Sequence, residues 1–128
     1  MPEVVSIVIV GVGGQGILLG TQVAARAALA AGFDVKTNEV HGMAQRGGSV
    51  IAQIRWGAKV YSPLVPDGTA RALASLERIE ALRFARFLAP DGLAVVSTQA
   101  IVPVTASSGK GPKYPADAEE RLKTVFPR

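Results

Sequence analysis

Val4-Val5-Ser6-Ile7-Val8-Ile9-Val10-Gly11-Val12-Gly13-Gly14-Gln15-Gly16 is an almost unbroken apolar run that ends on glycines. A short, β-branched run of this kind reads as a strand buried on both faces. Gly11, Gly13 and Gly16 then let the backbone turn sharply and approach another group closely. The alanine-rich stretch that follows predicts a helix over residues 16–31. Its buried face would carry Ile17, Ala24, Ala27, Ala28 and Ala31, and Gly32 would end it. The amides exposed at such a helix start favour an anion such as a phosphate.

Working outward, residues 33–40 read as a second strand. A second glycine-rich segment follows, His41-Gly42-Met43-Ala44-Gln45-Arg46-Gly47-Gly48-Ser49, with no acidic residue in it. Residues 50–56 read as a third strand, and Gly57-Ala58 as a turn into Lys59–Ser62, giving a hairpin. Pro63 and Pro66 bracket a loop that ends at Asp67-Gly68. Residues 69–89 predict a long helix. Leu73, Leu76, Ile79, Leu82, Ala85 and Leu88 belong to its apolar face, and Glu77, Arg78, Glu80, Arg83 and Arg86 lie mostly on the other side. Glu80 and Arg83, at helical spacing, would meet. Pro90-Asp91-Gly92 is the expected stop, residues 93–97 a fourth strand, 101–105 a short fifth, 107–112 a loop and 116–125 a last helix. Strands alternating with helices imply an α/β fold: one domain over residues 1–128, a three-layer α/β/α sandwich with a mixed, mostly parallel sheet.

Composition narrows the function classes. The 128 residues suit one domain with a real core, and 48% apolar residues mark a globular chain. There is no cysteine, so the chain offers no disulfide, no thiolate metal site and no iron–sulfur cluster of its own. This composition fits a reducing compartment, and the cytoplasm is the expectation. Met1-Pro2-Glu3 lacks the basic start of a signal peptide, and no run is long enough to span a bilayer. Fourteen basic and ten acidic residues give a net charge of +4, but the basic residues are scattered without interleaved aromatics. Neither a nucleic-acid nor a membrane partner is expected.

Gly11, Gly13 and Gly16 match G-x-G-x-x-G between a strand and a helix, and Glu39 lies 23 residues beyond Gly16, near where a ribose-binding acid belongs. An independent dinucleotide-binding protein is therefore one reading. Topology opposes it. A parallel crossover needs about a dozen residues or more, and the second strand runs into the third through the glycine segment alone. A pure interaction module without ligand is another reading. His41, the sole histidine, is either a general base or a hydrogen-bonded loop residue. Arg46, between glycines, is either a bidentate partner for a carboxylate or phosphate or a solvated charge. Gln45 and Ser49 could orient a ligand or satisfy backbone groups, and Met43 could fill an interface gap. The serines have no spaced His/Asp set, and no complete catalytic constellation is present.

Gly11 to Gly16, followed by His41 to Val50, resembles the gamma-type subunit or domain of 2-oxoacid:ferredoxin oxidoreductases, most nearly the branch that acts on indolepyruvate. Ser62-Pro63-Leu64, Glu80-Ala81-Leu82-Arg83 and Tyr114-Pro115 support the likeness, which covers about Val4 to Val125. The resemblance implies oxidative decarboxylation of a 2-oxo acid to an acyl-CoA, with electrons passed to ferredoxin. Thiamine diphosphate and iron–sulfur clusters would sit on partner subunits, and this chain would complete the assembly without a cofactor of its own. It also implies that Gly11, Gly13, Gly14, Gln15 and Gly16 form a loop that approaches a coenzyme such as coenzyme A or a partner. His41, Gly42, Met43, Gln45, Arg46, Gly47 and Gly48 would form a second. No catalytic role is implied for either. Two features depart from the family. Arg71 stands near an expected helix start where relatives carry an acid. The chain also ends at Arg128 where relatives usually continue through another strand and helix, which implies a truncated form, a short variant or a missing layer supplied by another chain; a missing strand would leave an open sheet edge that favours association, including with itself.

Overall fold

The structure, a computed structural model, describes residues 3–41, 48–97 and 118–125. Its elements are β1 (Val5–Val12), α1 (Ile17–Ala30), β2 (Asp34–His41), β3 (Ser49–Gly57), β4 (Ala70–Ser75), α2 (Arg78–Arg83), a 3₁₀ turn (Ala85–Phe87), β5 (Leu88–Val96) and α3 (Ala118–Val125). The expected strand at 101–105 and loop at 107–112 lie outside the described residues.

Five strands form one mixed sheet in the order β2-β3-β1-β4-β5. β3 is antiparallel to both β1 and β2, whereas β4 is parallel to β1 and to β5. Four strands therefore run one way and β3 alone runs against them. Alternation along β1 sorts the core into two faces. Ile9 points to the α1 side with Ile17, Val50, Ala52 and Leu76. Val8 and Val10 point the other way, into a core with Ile51, Val65, Leu73 and Phe87. Helices lie on both faces, as the α/β reading requires, and α3 packs on α2.

α1 starts and stops where its glycines place it. Gly32 has a φ of 92°, and the Gly32 and Phe33 amides donate to the Leu29 and Ala28 carbonyls, a Schellman closure. The buried face is rotated from the expected one. Ile17, Ala24 and Ala28 do face the sheet, but Ala27 and Ala31 are exposed, and Thr21 is buried with its hydroxyl donating to the Ile17 carbonyl.

Three further expectations fail. No strand follows Gly57, because both edges of β3 are already taken by β1 and β2. Residues 58–69 instead fold over the sheet. The Arg55 guanidinium donates to the Ser62 and Leu64 carbonyls, Gln53 accepts from the Val65 amide, and Asp34 accepts from the Val60 amide. The long helix over 69–89 is also replaced. Residues 70–75 form β4, flanked on both sides by parallel strands, and only Arg78–Arg83 are α-helical. Alanine and leucine favour a helix only weakly, and two open strand edges outweigh that preference. Gly68-Thr69-Ala70-Arg71 thus opens a strand. Arg71 makes an exposed ion pair with Glu3, of the kind that contributes little. Pro90-Asp91-Gly92 stops nothing: it lies within β5 at a register shift against β4, where a bulge tolerates proline. A side chain at Gly92 would lie 2.9 Å from the Ala70 carbonyl oxygen.

Candidate functional site

Strand direction brings one end of the sheet together. β1, β4 and β5 all finish there and β3 begins there, the position where open α/β sheets bind ligands. Gly11 pairs with Val50, and Val12 ends the strand opposite Ser49. The glycine turn follows, with Gly14 at φ 97° and Gly16 at φ 86°, a backbone region costly for any residue with a Cβ. The Gly13 amide donates to the Gly48 carbonyl at 2.8 Å, so the first glycine segment touches the last glycine of the second.

Gln15 is engaged within the turn. Its Oε1 accepts from the Val12 amide at 2.8 Å, and its Nε2 donates to the Leu76 carbonyl at 2.6 Å. A side chain at Gly11 would strike both Gln15 Oε1 and Ile17 Cδ1 at 2.8 Å, which accounts for the glycine there. α1 begins at Gly16 with no side-chain cap and no acidic residue in its first turn. Its amide end faces a cleft of about 360 Å³ lined by the glycine turn, Ile17, Leu18 and Val50. Uncapped helical amides beside a cleft suit a negatively charged group.

The neighbouring turn, after β4, is closed by its own side chains. Glu77 is 1% exposed, and its Oε1 accepts from the Ile79 and Glu80 amides at 2.6 and 2.9 Å, capping α2. The Ser75 hydroxyl donates to the Glu77 carbonyl. Glu80 is 6% exposed. The Ser49 hydroxyl donates to its Oε2 at 2.6 Å, and Arg83 lies 3.3 Å from the same oxygen. Burial pushes the Glu80 carboxyl above the usual carboxylate range, against the opposing pull of Ser49 and Arg83, while nearby Glu77 adds to the rise. The sequence placed Glu77 and Glu80 on a solvent side, and the structure buries both. The signal for them was present: two acids astride a helix start. The Glu80–Arg83 pairing does form as the spacing predicts.

The remaining expected residues are spread differently. The His41 backbone closes β2, paired with Val50. Gly42, Met43, Gln45, Arg46 and Gly47 lie outside the described residues. Glu39 pairs with Ala52 of β3, and β3 separates β2 from β1. At strand spacing, Glu39 is thus roughly 10 Å to the side of β1, not on the adjacent strand where a dinucleotide ribose is held. Among the described residues, no three His, Asp or Glu side chains could hold a metal, and no helix is long and apolar enough to cross a membrane.

Comparison with known proteins adds a lineage. Residues 6–126 match the family model for pyruvate ferredoxin/flavodoxin oxidoreductase. The chain is 47% identical over 125 residues to the indolepyruvate oxidoreductase subunit IorB of Archaeoglobus fulgidus, covering 96% of this chain and 61% of that protein. It is 49% identical over 104 residues to the subunit of the same name from Thermococcus kodakarensis, covering 81% and 52%. The chain thus spans little more than half the length of the curated relatives it matches. Among solved structures, it resembles a 2-oxoglutarate:ferredoxin oxidoreductase from Magnetococcus marinus with 2-oxoglutarate, coenzyme A and succinyl-CoA bound. The TM-score is 0.66 at 21% identity, over 76% of this chain and 17% of that one. The pyruvate oxidoreductase subunit PORC of Thermotoga maritima gives a TM-score of 0.57 at 18% identity, over 97% and 86%. At these identities the solved structures speak for the fold.

Proposed function

The chain belongs to the pyruvate ferredoxin/flavodoxin oxidoreductase family, and from that premise we propose that it serves as the gamma-type domain of a 2-oxoacid:ferredoxin oxidoreductase. In this reading, partner subunits hold the thiamine diphosphate and the iron–sulfur clusters. The chain itself has no cysteine to hold a cluster. An aryl pyruvate such as indolepyruvate is the proposed 2-oxo acid, because the relatives at 47% and 49% identity carry that name. Coenzyme A, when bound, supplies the thiol that accepts the acyl group.

One observation carries the proposal. An uncapped helix start and the end of the second glycine segment meet at one end of the sheet, joined by the bond from Gly13 to Gly48. Gly13 pins the turn to Gly48, and Gly14, Gly16 and the first amides of α1 form a backbone cradle without a competing carboxylate, suited to a phosphate of coenzyme A or to an anionic edge of the partner. Gln15 shapes that cradle; its own polar atoms are satisfied inside the chain. His41, Gly42, Met43, Gln45, Arg46, Gly47 and Gly48 supply the second wall, and Arg46 has the chemistry to pair with phosphate or carboxylate.

The test is anaerobic co-expression with the cluster-bearing subunit, followed by viologen reduction driven by indolepyruvate and coenzyme A. Turnover that requires both chains supports the reading. A chain that stays alone and is stabilised by a nicotinamide dinucleotide would overturn it.

A further inference from the structure

Glu80 is a buried carboxylate that the proposed function does not use. α2 does not need it for capping, since Glu77 already accepts from the Ile79 and Glu80 amides. A carboxyl 6% exposed costs free energy unless it is hydrogen-bonded and paired, so its partners decide what holds it there. Its Oε2 receives the Ser49 hydroxyl at 2.6 Å and the exposed Arg83 at 3.3 Å. Ser49 opens β3 opposite Val12, and the preceding Gly48 carbonyl receives the Gly13 amide. The contacts run without a gap from Glu80 through Ser49 and Gly48 to Gly13, at the rim of the open α1 turn.

We propose that Glu80 is a positioning residue: through Ser49, it fixes the point where the chain re-enters the sheet beside the glycine turn, and so sets the width of the cradle for an anionic coenzyme. The inference rests on the reading of this end of the sheet as the coenzyme-facing one. Ser49 is the only link it needs, and the effect on a bound anion is transmitted by backbone position. Glu80 itself touches no ligand.

The test uses the assembled enzyme and compares Ser49→Ala, Glu80→Leu, their double variant and Glu80→Gln. Ser49→Ala and Glu80→Leu should each raise the KM for coenzyme A about five- to tenfold, the scale of one lost charge-assisted hydrogen bond, with kcat within about twofold of the parent. The double variant should be no worse than either single one, because both remove the same link. Glu80→Gln retains an acceptor for Ser49 and should restore the parent KM. Additive losses, an unchanged KM in Ser49→Ala, or a Glu80→Gln as impaired as Glu80→Leu would each overturn the inference. If Glu80→Leu does not fold, Ser49→Ala and Glu80→Gln decide alone. Failure of the parent complex to turn over coenzyme A defeats the functional reading, whereas a working parent with indifferent variants defeats only this inference.

Discussion

Two turns sit side by side at the same end of the sheet. Each follows a parallel strand and leads into a helix, yet they treat their helix amides in opposite ways. The turn after β4 closes on itself: Glu77 caps α2, and Glu80 stands in its first turn. The turn after β1 has glycine at the cap, no capping side chain and no acid. The same backbone problem is solved internally in one and left open in the other. Since orphan amides at a helix start seek a partner, the open turn is the one we propose meets something outside the chain. Gln15 joins the two, rising from the open turn to the Leu76 carbonyl of the closed one.

Cutting that joint should have the largest effect. Gln15→Ala leaves the Val12 amide and the Leu76 carbonyl without their side-chain partner, and should lower stability by about 1–3 kcal/mol in urea unfolding. Removing the internal cap comes next. Glu77→Ala should cost about 1–2 kcal/mol, read as a lower Tm, and Glu77→Gln should recover most of it because an acceptor remains. Gly16→Ala should cost about 1 kcal/mol through its positive φ alone, since the space around it is empty. The smallest change in stability makes the open turn imitate the closed one. Leu19→Glu, at the third helical position and 66% exposed, can reach back to the Gly16 amide and should raise stability by about 0.3–1 kcal/mol. It should also weaken coenzyme A, measured as a higher KM in the assembled enzyme.

The closed turn has a pH signature as well. Burial holds the Glu80 carboxyl above its ordinary value of 4.5, so the folded chain binds this proton more tightly than the unfolded one. The favourable contribution of the protonated form is therefore complete below about pH 4.5 and lost as pH rises through the raised folded value. Glu80→Gln cannot ionise. Its Tm relative to the parent should hold level in acid and climb as pH rises through that window; a difference independent of pH would contradict the assignment.

The same contrast explains what could be read in advance. In the first half of the chain, local signals agree: an apolar run for β1, glycines for the turn, and Gly32 for the helix end. The 70–75 segment has no such agreement. Its alanines and Leu73 fit a helix as well as a strand, and what decides is the pair of parallel neighbours, β1 and β5, that sequence does not place. The site follows this division. The glycine turn was legible, because glycine at a strand-to-helix junction has few other uses. Its fastening was not, because Gln15 meets Leu76 61 positions away and Ser49 meets Glu80 31 positions away. Glu39 misled for a related reason: spacing along the chain matched a dinucleotide site, but β3 was inserted between the two strands that such a site needs side by side.

Whether the turn after β1 is open to a partner is read by amide hydrogen exchange on the chain alone, on the complex with the proposed cluster-bearing subunit, and on that complex with coenzyme A. Residues 16–19, the uncapped first turn of α1, should exchange freely in the isolated chain and become protected on assembly or coenzyme binding, while residues 79–81, whose amides are satisfied by Glu77, change little. Protection that leaves residues 16–19 untouched, or that gathers at the closed turn instead, would contradict the open turn's role.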